Sequence, residues 1–427
     1  MTAEAAPPVP PQATALAEPT GRVGRRYSAL YTGAAIALWM GFNVPGQVLI
    51  AEQIAKIEPG NKETSLAVVL AVGAVVSLIA NPLFGALSDS TTSRFGRRRP
   101  WALAGALGGA ASLLVLSTGQ SVAAVTLGWC LCQLTLNILL AVLMAMVPDR
   151  VPVTQRGFIS ALAGLAQVLA TILGLAIVIS ITGGFTAKYA ALAAVLVAAV
   201  TLLVLGVADP PLPRGATPPM SLRRLARVLW VNPVRHRDFG WAWLTRFLVM
   251  LGYAVGTTYL LYFLRDGVGY ERLFPGHGAD EGVLWLNAIA GGALLASIVA
   301  GGVVSDRLRR RKVFVMTSSA IVAVGMLVLA VSPTWPAALV AAAILGGGFG
   351  VYLAVDVALI TEVLPNAEDR GKDLGVINIA NTLPQTMAPA LCGLLVTHAG
   401  GYPTMFAVAA VITLLGAVLV QPIRGVR

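Results

Sequence analysis

Residues 85–100 read GALSDSTTSRFGRRRP, a short polar stretch between two long apolar runs at about 64–88 and 101–118. Each run is close to the roughly 20 residues that a helix needs to cross the hydrocarbon core of a bilayer. The stretch between them carries four arginines and one aspartate. A short loop this rich in arginine predicts a connection between two membrane helices on the cytoplasmic side.

Apolar runs of this length recur along the whole chain. Of its 427 residues, 57% are hydrophobic and 11% are charged, against roughly 25% charged in a soluble globular protein. This composition excludes an ordinary soluble enzyme, and the runs predict an all-α membrane protein with twelve transmembrane helices. They lie at about 28–55, 64–88, 101–118, 122–147, 158–182, 186–208, 239–264, 282–304, 313–332, 336–361, 373–397 and 403–421.

The basic residues indicate which ends of these helices face the cytoplasm. With a cytoplasmic N-terminus, 24 of the 30 lysines and arginines fall in cytoplasmic segments, and Arg246 lies within a helix. This bias follows the positive-inside rule and predicts a multi-pass protein of the cell membrane with both termini in the cytoplasm. It also accounts for the net charge of +11 without a nucleic-acid partner. The basic residues outside are Lys56, Lys62, Lys188, Arg265 and Arg272.

Three pairs of matching positions indicate an internal duplication. Asp306 follows Asp89 by 217 residues (306 − 89), and Pro365 follows Pro148 by the same distance. An Arg-Gly pair comes next in each half, at Arg156 and Arg370, 214 residues apart (370 − 156). Two parallel six-helix halves account for this order. The predicted organisation is a disordered cytoplasmic tail (1–27), an N-terminal six-helix bundle (28–208), a cytoplasmic linker (209–237), a C-terminal six-helix bundle (238–421) and a cytoplasmic tail (422–427).

At these residues the sequence resembles the major facilitator superfamily of transporters. Gly85-x-x-Ser-Asp89 followed by the arginines at 97–99 is similar to the superfamily's loop between helices two and three, and the resemblance covers about residues 28–421. The longer string from Ser88 to Pro100 is similar to the signature of sucrose–proton symporters and of the glycoside-pentoside-hexuronide cation symporters. The resemblance implies two pseudo-symmetric six-helix bundles in a monomer that transports a sugar or glycoside by alternating access. It also implies a coupling ion, a proton or alternatively sodium.

The charged loop residues are candidates for a gate. Asp89 and Asp306 each end a helix at the predicted cytoplasmic side, where a carboxylate can pair with arginines and with the positive end of a neighbouring helix. In the resembled fold the first loop packs near the start of helix eleven, and pseudo-symmetry brings Asp306 near the start of helix five. The alternative is that these charges only set the topology, since surface ion pairs are individually weak. The candidate gating residues are Gly85, Asp89, Arg94, Gly96, Arg97, Arg98, Arg99, Arg156, Asp306 and Arg370.

Two charges lie inside predicted helices that border the central cavity of the resembled fold. Arg246 on helix seven and Asp356 on helix ten are each about 12 Å from the cytoplasmic helix end. We expect them to form an ion pair, because an unpaired charge at that depth is costly. Asp356 is then a candidate proton carrier with Arg246 as its partner, and a fixed structural pair is the alternative. Plant sucrose symporters carry charges on helix four, where this chain has Gln133 and Asn137, so the resemblance does not extend to those charges.

Uncharged polar residues recur on shared helix faces. Amides donate and accept hydrogen bonds, as hydroxyls do, and Trp and Tyr rings suit the C–H face of a sugar. The pattern predicts a cavity for a neutral polyol, and the alternative is that these residues bond neighbouring helices to one another. The candidate substrate-binding residues are Trp39, Asn43, Gln47, Gln133, Asn137, Gln167, Tyr253, Tyr352, Asn378, Asn381 and Gln385.

Other functions find less support in the sequence. The three histidines have no metal-ligand spacing and the three cysteines lie in apolar runs, so we expect no metal, no cofactor and no enzyme activity. An exporter of drugs or metabolites is one alternative, although helix five lacks, between Gly164 and Gly174, the proline of the drug-antiporter motif. An uncoupled facilitator is another. The favoured prediction is proton-coupled symport of a sugar or glycoside, such as sucrose, across the lipid bilayer.

Overall fold

The computed structural model describes residues 19–209, 211, 237–308, 310–363 and 370–423. Within these residues the chain forms twelve long helices and no strand. In chain order they are α1 (Arg25–Ile57), α2 (Lys62–Asp89), α3 (Arg99–Ser117), α4 (Val122–Arg150), α5 (Val153–Ser180), α6 (Phe185–Gly206), α7 (Arg237–Thr258, continued by Leu260–Val268), α8 (Ala279–Leu308), α9 (Arg311–Val331), α10 (Trp335–Val363), α11 (Arg370–His398) and α12 (Gly401–Val418).

These helices are long and apolar enough to cross a membrane. Eleven candidate spans qualify alone, and α7 is the twelfth when its two parts, which meet at a bend of 42°, are taken as one span. The prediction of an all-α protein with twelve transmembrane helices is confirmed.

Several helices extend beyond the apolar runs that predicted them. α5 begins at Val153 rather than at 158, and α1 begins at Arg25 rather than at 28. The difference arises because backbone hydrogen bonds, and not apolar side chains, decide where a helix begins; Pro152 takes the extended conformation of an N-cap residue before α5. Most of the predicted tails and linker lies outside the described residues, so the domain boundaries stay predictions.

Successive helices run in opposite directions, so their connections fall at two ends of the molecule. The arginine-rich end has the α2–α3 connection, residues 90–98, and the α8–α9 connection at Arg310. The far end has the connections α1–α2, α3–α4, α5–α6, α7–α8, α9–α10 and α11–α12. The sequence predicts that the arginine-rich end faces the cytoplasm.

Glycines let neighbouring helices approach closely. A Cβ on Gly346 of α10 would lie 2.0 Å from the carbonyl oxygen of Ala290 on α8, and a Cβ on Gly105 of α3 would lie 2.8 Å from the backbone nitrogen of Leu139 on α4. Helices in a membrane gain little by burying apolar surface against each other, so close packing of this kind supplies much of their association. It sets the distance between α8 and α10 and between α3 and α4.

The two halves, α1–α6 and α7–α12, meet along two pairs of helices. α2 contacts α11, where Gly393 faces Ala67, and α5 contacts α8, where Gly291 faces Val168. The second and fifth helices of one half therefore meet the fifth and second helices of the other. This exchange is what a pseudo-two-fold axis between two parallel repeats produces.

We expect Gly346→Ala to lower the thermal stability, because the added methyl group meets the backbone of α8; the expected cost is about 1–3 kcal/mol. Gly347→Ala is the matched control on the next residue, since nothing lies within 4 Å of a Cβ there. The measurement is the unfolding midpoint of the purified protein in detergent. Equal midpoints for the two variants would contradict the close contact.

Candidate functional site

A buried ion pair joins three helices of the second half. Arg246 on α7 pairs with Asp356 on α10, and Arg246 Nε donates to Asn381 Oδ1 on α11 at 2.6 Å. The hydroxyl of Tyr352, one turn before Asp356, donates to Asp356 Oδ1 at 3.0 Å. Arg246 is 7% exposed and Asp356 is 2% exposed. Charges this far from water persist inside a membrane protein when they are paired in this way.

Three aromatic rings form a stack beside the ion pair. The rings of Tyr253 on α7 and Phe349 on α10 are nearly parallel, with centroids 3.8 Å apart, and Tyr352 follows Phe349 at 6.0 Å. Tyr352 belongs to both groups, because its ring ends the stack and its hydroxyl contacts Asp356. The second half thus places an apolar, flat surface next to a paired charge.

A cluster of amides and a hydroxyl joins α2 to α4 in the first half. Asn137, which is buried, donates through Nδ2 to Ser77 Oγ at 2.9 Å and to the Gln133 carbonyl at 2.7 Å. Its Oδ1 accepts a hydrogen bond from Asn81 Nδ2 at 3.4 Å. Gln133 and Asn137 were predicted as site residues from the spacing on helix four, and the structure adds Ser77 and Asn81 as their neighbours.

The polar residues of α1 contact both halves. Asn43 Nδ2 donates to Thr171 Oγ1 on α5 at 2.8 Å, within the first half. One turn further, Gln47 Oε1 accepts a hydrogen bond from Asn287 Nδ2 on α8 at 3.2 Å, across the two halves. Trp39 is half-buried and its ring lies against Phe42. The side chains of the other two predicted glutamines, Gln167 and Gln385, are exposed.

The predicted gating residues form a charge cluster at the arginine-rich end. Asp89 pairs with Arg97 at 2.8 Å and with Arg98 at 2.6 Å, and Arg98 also pairs with Asp149 on α4 at 2.7 Å. Asp209, just after α6, accepts from the backbone N–H groups of Arg98 at 2.6 Å and Arg99 at 2.9 Å. These bonds tie the ends of α2, α3, α4 and α6 together.

Gly96 and Gly85 have separate steric roles in this cluster. Gly96 has φ +106°, and a Cβ there would lie 2.3 Å from Asp209 Oδ2, so a larger residue would be strained and would also displace the Asp209 carboxylate. Gly85 faces Ala141 on α4. Arg94 is exposed, with its guanidinium over the Phe95 ring.

The structure describes only some of the side chains that we predict to join the halves at the arginine-rich end. Arg156 donates to the carbonyl of Val151 at 3.0 Å and to that of Pro148 at 3.4 Å. The side chains of Asp306, Arg370 and Asn378 lie outside the described residues, so the latch that pairs Asp89 with the start of α11 stays a prediction.

A cleft of about 610 Å³ opens at the arginine-rich end between α2 and α4. Its described walls run from Asp89 and Asp149 at the surface to Asn81 at its inner end. Asn81 in turn contacts Asn137. The cleft therefore connects this end of the molecule with the amide cluster of the first half.

Sequence reasoning missed Ser77, Asn81, Asn287 and Asp209. Ser77, Asn81, Gly85 and Asp89 are spaced by four residues on α2, a helical stripe that could have been found in the same way as the stripe on helix four. Asn287 is a single amide in an apolar run, and Asp209 lies where the apolar run of α6 ends. Their positions in the sequence do not identify Asn287 or Asp209 as members of a polar cluster.

The chain is similar to one family profile and to solved structures. The profile of the Major Facilitator Superfamily matches residues 29–295 and 277–426. No curated protein sequence matches the chain. Among solved structures, the D-xylose–proton symporter is similar with a TM-score of 0.68 and 16% identity, over 93% of this chain and 97% of that one. The human organic anion transporter MFSD10 (TETRAN) is similar with a TM-score of 0.66 and 16% identity, over 93% and 99%.

We expect Arg246→Gln to destabilise the protein by about 3–5 kcal/mol, because Asp356 is left as a buried charge without its partner. The double variant Arg246→Gln with Asp356→Asn removes both charges and should recover most of that loss. Thermal unfolding in detergent measures both, with Arg272→Gln as an exposed control. If the double variant were no more stable than Arg246→Gln alone, the loss of stability would not come from leaving the Asp356 charge unpaired.

Proposed function

The chain belongs to the Major Facilitator Superfamily, and from that premise we propose that it is a secondary active transporter that imports a sugar or glycoside, such as sucrose, together with a proton. That the protein is a multi-pass membrane transporter and not an enzyme follows from the family and the fold. The proposed substrate and the proton coupling rest on one observation, the buried set of Arg246, Asp356, Asn381 and Tyr352.

Asp356 is a buried carboxylate on α10, and it can bind and release a proton inside the membrane-spanning part of the protein. In the ionised state it is held by Arg246 and Tyr352. When it takes up a proton, Arg246 loses its counter-charge, and the N–H donors of the guanidinium become available to acceptor atoms of a substrate. Release of substrate allows Arg246 to return to Asp356, which then releases the proton. One proton bound and one released per cycle link transport to the proton gradient.

The chemistry of the surrounding side chains favours a substrate with hydroxyl groups. The amides Asn43, Gln47, Asn137 and Asn381 supply donors and acceptors, and the stack that includes Tyr253 supplies a flat apolar surface for a sugar ring. One of the similar structures is a D-xylose–proton symporter, which agrees with this chemistry. The remaining predicted site residues, Trp39, Gln133, Gln167, Tyr352, Asn378 and Gln385, belong to the same proposal.

The orientation and the gate are part of the proposal. We place the arginine-rich end and both termini in the cytoplasm, and the protein as a monomer in the cell membrane. The cleft at that end then serves as the cytoplasmic route to the site. Its closure brings Asp89 to the start of α11 near Arg370, and Asp306 to the start of α5 near Arg156.

A second candidate substrate is an organic anion. Arg246 is a cation at the site, and its guanidinium has five N–H donors, so a substrate carboxylate could take the place of Asp356. One similar structure is a human organic anion transporter. Export and uncoupled facilitation are the alternative modes of transport for either substrate.

The first test follows uptake of labelled sucrose into proteoliposomes with and without an inward proton gradient. We expect accumulation above the external concentration only with the gradient, and labelled D-xylose and succinate in parallel report on a monosaccharide and on a carboxylate that does not cross the bilayer freely. Protein-free liposomes are the blank. Entry of sucrose to equilibrium without accumulation would indicate a facilitator. Entry of succinate alone would replace the sugar proposal with the organic-anion candidate.

We expect Asp356→Asn to abolish gradient-driven accumulation while exchange of labelled for unlabelled sucrose continues, because the amide cannot carry a proton but can still accept from Tyr352. Retained exchange also demonstrates that the variant is folded. Asp280→Asn, a change near the far end of α8, is the control. Accumulation that survives in Asp356→Asn would remove Asp356 from the coupling step.

A further inference from the structure

The α7–α8 connection carries two large apolar side chains at the surface of the far end. It consists of residues 269–278, GYERLFPGHG, and contains a short helix at Tyr270–Leu273. Leu273 is 54% exposed, and the next residue, Phe274, is 36% exposed. Exposed apolar residues that lie together mark surfaces that meet a partner or a membrane. The surroundings of this tip, Leu273 and Phe274, decide which of the two it meets.

Aromatic packing holds the tip beside the start of α10. The Tyr270 ring is buried, and it lies 4.9 Å from the Phe274 ring and 4.9 Å from the ring of Trp335, the first residue of α10. Phe274 and Trp335 also meet edge to face, with centroids 6.1 Å apart. On its other side Tyr270 packs on α8, where a Cβ on Gly282 would lie 3.0 Å from the ring. The tip therefore has a fixed position relative to α8 and α10.

The length of α9 relates the tip to the edge of the bilayer. α9 has 21 residues, so it is about 31 Å long, close to the roughly 30 Å of the hydrocarbon core. Large exposed apolar residues lie along one side of it, Val313, Ile321, Val324, Leu327 and Val331. In a membrane, lipid covers such a stripe. Its last member, Val331, is 83% exposed and precedes Trp335 by four residues, so the tip lies where the lipid-covered surface of α9 ends.

The corresponding connection of the first half has no such tip. α1 and α2 are joined by the four residues EPGN, at 58–61, whereas ten residues join α7 to α8. None of the four is a large apolar residue. Within this pair of connections, the apolar tip belongs to the second half alone and does not follow from the repeat.

We propose that Leu273 and Phe274 insert into the leaflet at the far end, beside Val331 and Trp335, and anchor the α7–α8 connection to lipid. The partner is the acyl-chain edge of the bilayer, because the exposed surface of the tip continues the lipid-covered side of α9. Trp335 suits this level, since Trp and Tyr are enriched at membrane–water interfaces. The exposed Arg272 lies next to the tip and can extend to the headgroups. This inference goes beyond the proposed function, because it holds whichever solute is carried.

The measurement is the accessibility of a spin label in phosphatidylcholine nanodiscs to two relaxing agents. Oxygen concentrates in hydrocarbon, and a water-soluble nickel chelate stays outside it. The label is attached at Leu273→Cys, after the native cysteines have been replaced by alanine. Val331→Cys is the reference for lipid and Asn61→Cys, an exposed position in the α1–α2 connection, is the reference for water. We expect the Leu273→Cys label to match the lipid reference, with oxygen favoured over nickel.

Phe274→Ser tests the second residue of the tip. Removal of one large apolar side chain from lipid shifts an equilibrium by roughly tenfold. We therefore expect Phe274→Ser to raise the fraction of Leu273→Cys labels in contact with water by roughly that factor. Arg272→Gln is the matched control, because it changes an exposed neighbour of Leu273 without removing an apolar ring, and it should leave the accessibility unchanged.

Three results would overturn the proposal. The first is a Leu273→Cys label that meets the nickel chelate as often as the Asn61→Cys label does, since the tip would then lie in water. The second is a label shielded from both agents, since the tip would then be covered by protein. The third is an equal effect of Phe274→Ser and Arg272→Gln. The comparison of the Leu273→Cys label with the two references leaves the aromatic packing unchanged, so it decides the matter even if Phe274→Ser disturbs the fold.

Discussion

The ion pair between Arg246 and Asp356 is the interaction on which the second half depends. It brings α7, α10 and α11 to one point through a guanidinium, a carboxylate and the Asn381 amide. In a bilayer each of these groups would be expensive to leave unpaired, because no water is present to replace a lost partner. In the proposed function, a proton on Asp356 removes one of the two charges, and Arg246 then bonds to a different partner.

The first half is organised differently, around neutral amides and a charge cluster at one end. Asn137 connects α2 and α4 in the interior, whereas Arg98 and Asp209 connect the ends of four helices at the surface. The described bonds thus join the helices of the first half to one another, while the second half holds the buried ion pair. The two halves thus share a helix arrangement but hold different polar groups in their interiors.

The sequence predicted what local patterns determine and missed what depends on the register between helices. Twelve apolar runs with arginine at alternate ends were sufficient for the fold, and shared depth was sufficient to expect that Arg246 and Asp356 would pair. Ser77 and Asn287 were not found, because an amide or hydroxyl can bond to any neighbour within reach, and only the packing of α2 on α4 and of α1 against α8 decides which. Two π-helical turns, Pro45–Leu49 within α1 and Phe263–Val268 at the end of α7, were also missed, since one extra residue in a turn leaves the apolar run unbroken.

Two contacts between the halves differ in charge: Lys62 at the start of α2 pairs with Asp266 at the end of α7 at 2.6 Å, and Asn287 on α8 donates to Gln47 on α1 at 3.2 Å. Lys62 and Asp266 attract each other as ions, so dissolved salt screens them, over a distance of about 8 Å at physiological ionic strength. Gln47 and Asn287 carry no net charge and are indifferent to salt. A saline medium therefore weakens one of these two contacts between the halves and leaves the other unchanged.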